Sequence, residues 1–260
     1  MRPIWKGHIR FSLVTIPVHV YNAIESKGNI SFNQLHKEDQ GRIGYKKYCK
    51  TCQKTVGKKD IVKGYEYADD HYVLFTDEEL KSVKLDSTKA IDIEAFVDLN
   101  EVHPSRYEQV YYIGPQGDVA QSPYHLLRQT LLDTQRAGVG RIIIRDREDV
   151  VLIVPGELGL IMYKLRYPYE LRALQDVPNL KQAELDEAQL HLAKTLVESL
   201  SKSFVEINFE DRYKEALDEL VQDKIAGKEI VTASEPDDTP PVIDIMTALK
   251  QSIDQGERAS

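Results

Sequence analysis

The chain of 260 residues reads as a β-rich α+β fold, with short strands suited to a barrel followed by an α-helical segment. Three observations predict it. Apolar and polar residues alternate at period two in short runs from His8 to Tyr163, and the apolar spacing changes to three and four after Arg172. Helix-start chemistry appears at only two points before that change. With 42% hydrophobic and 29% charged residues, the composition is that of an ordinary globular domain able to bury a core.

The first strand signal runs from His8 to Leu13, with Ile9, Phe11 and Leu13 on one side. The apolar phase then moves to Val14, Ile16, Val18 and Val20, which predicts a bulge or sharp bend near Leu13-Val14, with Pro17 at an edge or bend. Further strands are expected at Tyr72–Phe75, Ile91–Val97, Val110–Ile113 and Leu160–Tyr163. Arg141–Arg145 and Val150–Val154 read as a hairpin turned by Asp146–Asp149. Thr76 followed by Glu79 is a capping box that starts a short helix. Ser122-Pro123 predicts the start of a second helix of about four turns, and Gly138 its stop.

After Arg172, two amphipathic helices are expected. Leu185, Ala188, Leu192, Leu196, Leu200 and Phe204 form one stripe, and Tyr213, Leu217, Leu220, Val221 and Ile225 the next. Such stripes must pack on the barrel, on each other or on a second subunit. Ala233–Pro241 reads as a polar, proline-rich linker, and beyond it Val242, Ile245, Met246, Leu249 and Ile253 share one helical face.

A net charge of -8 argues at first against a nucleic-acid partner. The charge is, however, segregated. Residues 1–64 hold 13 Lys and Arg against 4 Asp and Glu, residues 65–135 hold 5 against 14, residues 136–172 hold 7 against 5, and residues 173–260 hold 9 against 19. The basic block is densest at Arg42, Lys46, Lys47, Lys50, Lys54, Lys58, Lys59 and Lys63, interleaved with Tyr45 and Tyr48 and loosened by Gly41, Gly44 and Gly57. Cations on such a hairpin-like excursion can meet phosphates, and nothing in the sequence resembles a recognition helix that would read bases. The alternative is a solvated basic face with no partner.

Cys49 and Cys52 are the only cysteines, which excludes a disulfide framework. Their Cys-x-x-Cys spacing supplies two of the four ligands of a structural zinc, with His36 the nearby kind of residue that could add to them. Sharing the ion between subunits would also satisfy the count. Two unligated thiols closing a hairpin explain the pair equally, whereas a thioredoxin-like redox role lacks its βαβ surroundings. No cofactor is required by any motif. Gly-x-Ser-x-Gly, Walker-type and His-Glu-x-x-His sequences are absent, and His8, His19 and His125 read as ordinary residues, so the chain is not expected to be an enzyme. No apolar run of about eighteen residues offers a membrane span, and Met1–His8 lacks a signal-type apolar stretch, which predicts a cytoplasmic protein, nucleoid-associated if the DNA reading below holds.

Met1-Arg2-Pro3-Ile4-Trp5-Lys6-Gly7, then Phe11–Val18, Ser31–His36, Tyr45–Cys52, Asp60–Tyr67, Thr76–Leu80, Arg141–Arg145, Arg212–Leu217 and Val242–Lys250 closely resemble, in order and spacing, the sequences of bacterial Ku proteins. The resemblance covers nearly the full length. It implies a homodimeric ring that binds double-stranded DNA ends without reading sequence, protects them, and recruits the bacterial ATP-dependent end-joining DNA ligase in double-strand break repair. On this reading residues 1–175 form the barrel core with a ring-closing bridge around 40–64, 176–230 a helical dimerisation arm, and 231–260 a linker with a short ligase-recruiting helix. The implied DNA contacts are the eight cations from Arg42 to Lys63 together with Arg141, Arg145 and Arg147. The implied ligase contacts are Val242, Ile245, Met246, Leu249 and Ile253; packing of the same face onto the arm competes. Many relatives end in a long Lys-rich tail that this sequence lacks, which puts tail-dependent bridging or threading of DNA in doubt. A zinc-dependent nucleic-acid-processing enzyme built on Cys49 and Cys52 is the alternative function.

Overall fold

The structure is a computed structural model in which residues 1–25, 28, 30–83, 89–144, 147–180, 184–228, 249 and 252 are described. Seven strands close into a barrel in the order β1-β2-β6-β9-β8-β7-β5. They are β1 (Trp5–Phe11), β2 (Val14–Asn22), β5 (Ala90–Asp98), β6 (Tyr107–Pro115), β7 (Arg136–Ile144), β8 (Arg147–Pro155) and β9 (Leu160–Leu165). Neighbours are antiparallel except at the closing seam, where β1 runs parallel to β5 through His8↔Ala90, Ile9↔Ile91 and Arg10↔Asp92. Between β2 and β5 stand a two-stranded sheet, β3 (Lys63–Ala68) with β4 (His71–Phe75), and helix α1 (Asp77–Ser82). Helix α2 (Asp118–Thr134) joins β6 to β7, and α3 (Glu187–Leu200) and α4 (Arg212–Ile225) follow the barrel.

The phase slip near Leu13 is a hairpin rather than a bend within one strand. Phe11 pairs with Val14 across the two-residue turn Ser12-Leu13, and Ser12 takes the positive φ of 49° that such tight turns demand. This register sets odd positions of β1 against even positions of β2, so Ile9 faces Ile16 and both lie in the core. One inward face thus changes parity where the chain reverses. The β7–β8 hairpin is also tighter than its sequence suggested: Ile144 pairs with Arg147, so Arg147, Glu148 and Asp149 are strand residues.

The barrel interior holds Ile9, Ile16, Val18, Val20, Ile91, Ile113, Ile142, Val151, Ile153, Leu160 and Met162. Helix α2 adds Ala120, Tyr124, Leu127 and Leu131, a stripe at helical spacing, to that core. It starts earlier than Ser122-Pro123 implied. Gly117, at φ 74°, turns the chain out of β6, and Pro123 lies inside the helix. Pro123 forfeits one helical hydrogen bond, and the buried stripe of Ala120, Tyr124, Leu127 and Leu131 spans it on both sides. The helix ends on Gln135 in the left-handed region, and Gly138 belongs to β7. Thr76 caps α1 through the expected box, with Thr76 Oγ1 accepting from Glu79 N–H and Glu79 returning to Thr76 N–H.

Helix α2 lies beside the end of the β1–β2 hairpin, where Phe11, Val14, Ile16, Phe96, Leu127 and Leu131 line an apolar cavity of about 510 Å³. The other end of the barrel is polar. Asn22, Gln109, Asp149 and Lys164 line a cavity of about 360 Å³ there. Asp149 continues the inward phase of Val151 and Ile153 on β8, and Lys164 that of Leu160 and Met162 on β9. Their charges meet at Lys164 Nζ–Asp149 Oδ1, 3.2 Å, with Glu108 3.4 Å from the same ammonium.

Tyr124 ties α2 to the barrel. Its buried hydroxyl donates to the Ile113 carbonyl and accepts from Leu160 N–H at 2.7 Å, which joins the helix to β6 and β9. Burial raises the Tyr124 pKa, so the neutral phenol is the form that serves both partners. Tyr124→Phe removes both bonds and leaves a buried carbonyl and amide unpaired. The expected loss is about 1–3 kcal/mol of folding stability, read as a lower urea midpoint at unchanged slope.

Candidate nucleic-acid interface

The basic residues stand on the long excursion between β2 and β5. Its centre is a tight hairpin over residues 47–56, where Tyr48 pairs with Thr55, Cys49 N–H donates to the Lys54 carbonyl at 2.9 Å, and Val56 N–H donates to the Lys47 carbonyl at 3.0 Å. Gln53 N–H returns to the Cys49 carbonyl at 2.8 Å, and Gln53 adopts φ 58° to make the turn. A 3-10 turn, Lys58–Asp60, then leads into β3. Among the described residues the sheet of β3 and β4 has two strands, and Tyr65, Tyr67 and Tyr72 on it are exposed. Those tyrosines are the part of the excursion that the charge pattern did not single out; their alternation at 65 and 67 was the available signal.

Arg42, Lys46, Lys47, Lys50, Lys54, Lys58, Lys59 and Lys63 are all exposed. Among the described residues only Lys63 of these eight has a carboxylate partner, Asp77 at 3.7 Å. The barrel's cations are held differently. Arg10 is bonded to Asp92, and Arg141 to both Glu94 at 2.6 Å and Glu148 at 2.9 Å. A bulge between Ile93 and Ala95 brings Glu94 to Arg141, and Gly140 permits it, because a Cβ there would stand 2.3 Å from the Asp92 carbonyl. The hydrogen bond that Arg141 donates to Glu94, then that to Glu148, holds the Arg141 pKa above its ordinary value. Arg147 lies 3.5 Å from Asp149 and 3.8 Å from Glu170. The structure thus separates the predicted DNA contacts into seven cations free of carboxylates on the excursion and paired arginines on the barrel.

Arg145 lies outside the described residues, as do Val242, Ile245, Met246, Ile253 and the linker Ala233–Pro241. Leu249 is described, helical and half-buried. Cys49 is half-buried and Cys52 exposed, and both are free thiols. The Cys49 thiol is held below its ordinary pKa by the backbone N–H of Cys52, then by that of Thr51. Among the described residues no helix is long and apolar enough to cross a membrane.

Residues 10–192 match the family model of the Ku70/Ku80 beta-barrel domain. The chain is similar to the non-homologous end joining protein Ku of Bacillus subtilis, at 40% identity over 99% of this chain and 83% of the relative. It is 38% identical to the protein of the same name from Lachnoclostridium phytofermentans, over 97% of this chain and 96% of the relative. The Archaeoglobus fulgidus protein of that name is 39% identical, over 97% of this chain and 100% of the relative.

The amide geometry at Cys49 has a chemical consequence. In chelator-treated protein, the rate at which iodoacetamide labels Cys49 should level off at a lower pH in the folded chain than in the urea-unfolded chain. Peptide mass spectrometry of labelling time courses across pH reads the rate; the same pH profile in the folded and unfolded chains would contradict the lowered thiol pKa.

Proposed function

The chain belongs to the Ku family, and from that premise we propose that it binds double-stranded DNA ends without reading sequence, as a homodimeric ring that protects them and recruits an ATP-dependent end-joining DNA ligase. Ku proteins are scaffolds rather than enzymes, which corrects the alternative of a zinc-dependent nucleic-acid-processing enzyme. The observation that supports the DNA reading best is the unneutralised excursion. Arg42, Lys46, Lys47, Lys50, Lys54, Lys58 and Lys59 have no carboxylate partner, whereas Arg141 and Arg147 would have to exchange protein carboxylates for phosphates. Free cations release condensed counterions when they meet a phosphate backbone, and paired ones gain less. On this basis the seven excursion cations are the principal contacts, and the paired barrel arginines contribute less.

The homodimer is supported by the helices beyond the barrel. Neither α3 nor α4 buries a residue, although each carries an apolar stripe, including Val197 and Leu200 on the first and Leu220 and Ile225 on the second. A second copy of the chain would cover such faces. The ligase reading rests on the family and on the helical Leu249 alone.

A gel-shift series comparing a linear duplex with a covalently closed minicircle tests the proposal. Linear DNA should bind much more tightly, and equal affinity for the two would refute end binding. Lys46→Glu with Lys47→Glu removes four cations from the dimer, and should weaken binding at low salt and flatten the log affinity against log salt slope by roughly 4, since each phosphate contact contributes about 0.9. Sedimentation should show the dimer retained; its loss would place those lysines in the subunit interface instead. Leu249→Asp should leave end binding unchanged and reduce ligase stimulation on nicked or broken duplex.

A further inference from the structure

The hairpin that carries Cys49 and Cys52 has a twin thirteen residues earlier. In residues 34–43, Leu35 pairs with Arg42, His36 N–H donates to the Gly41 carbonyl at 2.8 Å, and Ile43 N–H donates to the Gln34 carbonyl at 3.0 Å. Gln40 N–H returns to the His36 carbonyl at 2.9 Å, and Gln40 has φ 58°. Each of these five features recurs over 47–56, position for position, down to φ 58° at Gln53. His36 therefore occupies the place of Cys49, and Asp39 that of Cys52. The ligand atoms are engaged differently in the two turns: backbone N–H groups of Cys52 and Thr51 act on the Cys49 sulfur, whereas in the first turn Gly41 N–H donates to Asp39 Oδ1 at 2.9 Å.

We infer that the two turns are the halves of one zinc site, with His36 and Asp39 from the first turn and Cys49 and Cys52 from the second as its four ligands. Two thiolates, an imidazole and a carboxylate are each ordinary zinc ligands, and four of them make the closed tetrahedral set of a structural site. The spacing His-x2-Asp-x9-Cys-x2-Cys delivers them in two pairs. Each pair is local: His36 Nδ1 and Asp39 Oδ1 are 2.8 Å apart, and all four residues are open to solvent or partly so. Among the described residues no three His, Cys, Asp or Glu side chains converge as a finished metal site. Zinc binding therefore draws the turns together. Only the three residues Gly44–Lys46 join the hairpins, so Ile43 and Lys47 stand at most about 14 Å apart. Binding displaces one proton from each thiol to the solvent, a loss that the surrounding Lys46, Lys47, Lys50 and Lys54 favour. Nothing in this assignment depends on DNA binding.

The test uses the full chain, chelator-treated and then desalted, with Zn²⁺ or Co²⁺ alone as probe. One equivalent of zinc per chain is expected, and the cobalt form should show tetrahedral d–d bands with a thiolate charge-transfer band. Cys52→Ser should abolish stoichiometric binding. His36→Ala and Asp39→Ala should each weaken it about tenfold or more, and Asp39→Cys should tighten it and strengthen the charge-transfer band. Far-UV circular dichroism and a cooperative melt confirm that each variant is folded. No stoichiometric metal on the folded wild-type chain would overturn the site. Half an equivalent per chain, insensitive to His36→Ala and Asp39→Ala, would overturn it too, in favour of four cysteines from two copies.

Discussion

Closure of the barrel at the β1–β5 seam is the constraint from which the rest of the molecule follows. The seam is short, three parallel residue pairs, and it is fixed by close approach: His8 N–H donates to the Lys89 carbonyl at 2.9 Å, and a Cβ on Gly7 would stand 2.1 Å from that oxygen. Only glycine fits there. Because β1 lies between β2 and β5, the excursion that leaves after β2 returns to the other side of the same strand. Both its feet are thereby anchored on one strand of a sheet that has no free edge, and a long basic insertion costs the barrel no pairing.

The same architecture decides which charges remain available. A count by segment credits residues 1–64 with their excess of cations, and residues 136–172 with a smaller one. Strand pairing then consumes part of that excess. Arg10 stands opposite Asp92 in the seam, the β5 bulge delivers Glu94 to Arg141, and Lys164 faces Asp149 inside the barrel mouth. Burial draws the Lys164 pKa down, but Asp149 and Glu108 outweigh it and the net shift is upward, so this cation is committed to the fold. On the excursion, among the described residues, only Lys63 of the eight cations meets a carboxylate, that of Asp77. A basic sequence block becomes a phosphate-binding surface only where the fold leaves it unpaired.

How much of this was legible in the sequence depended on whether the signal was local. The Thr76–Glu79 box, the strands around Ile91 and Leu160 and the period change after Arg172 are set by neighbours a few residues apart, and each is where it was expected. The parity change at Leu13-Val14 was visible, but a hairpin and a bulge both produce it, and only the pairing of Phe11 with Val14 separates them. The start of α2 departs from the local signal Ser122-Pro123 because the helix begins at Asp118, after the positive-φ turn at Gly117, with a buried stripe from Ala120 to Leu131 that spans the proline. The candidate site divides in the same way. The run of lysines was plain, whereas the neutralisation of Arg141 by Glu94, 47 residues away, needs a register no local pattern carries.

The helices beyond the barrel show what the remaining acidic charge can do. Residues 173–260 carry 19 Asp and Glu against 9 Lys and Arg, and the described helices bury nothing of their own. A helix of 14 residues is marginal in water by itself, and caps such as Asp186 on α3 and Asp211 on α4 contribute only about 1 kcal/mol each. Their persistence requires apolar contact. A second acidic arm would be repelled by its charges and drawn by its stripes, so association is favourable only when Leu217 and Val221 meet apolar surface and Glu215, Asp218, Glu219 and Asp223 remain in water. That arrangement also leaves an outer surface hostile to phosphate. On the proposed reading, acidic helices and unpaired lysines would act in the same direction: the first would disfavour phosphate where they stand, and the second would offer it cations.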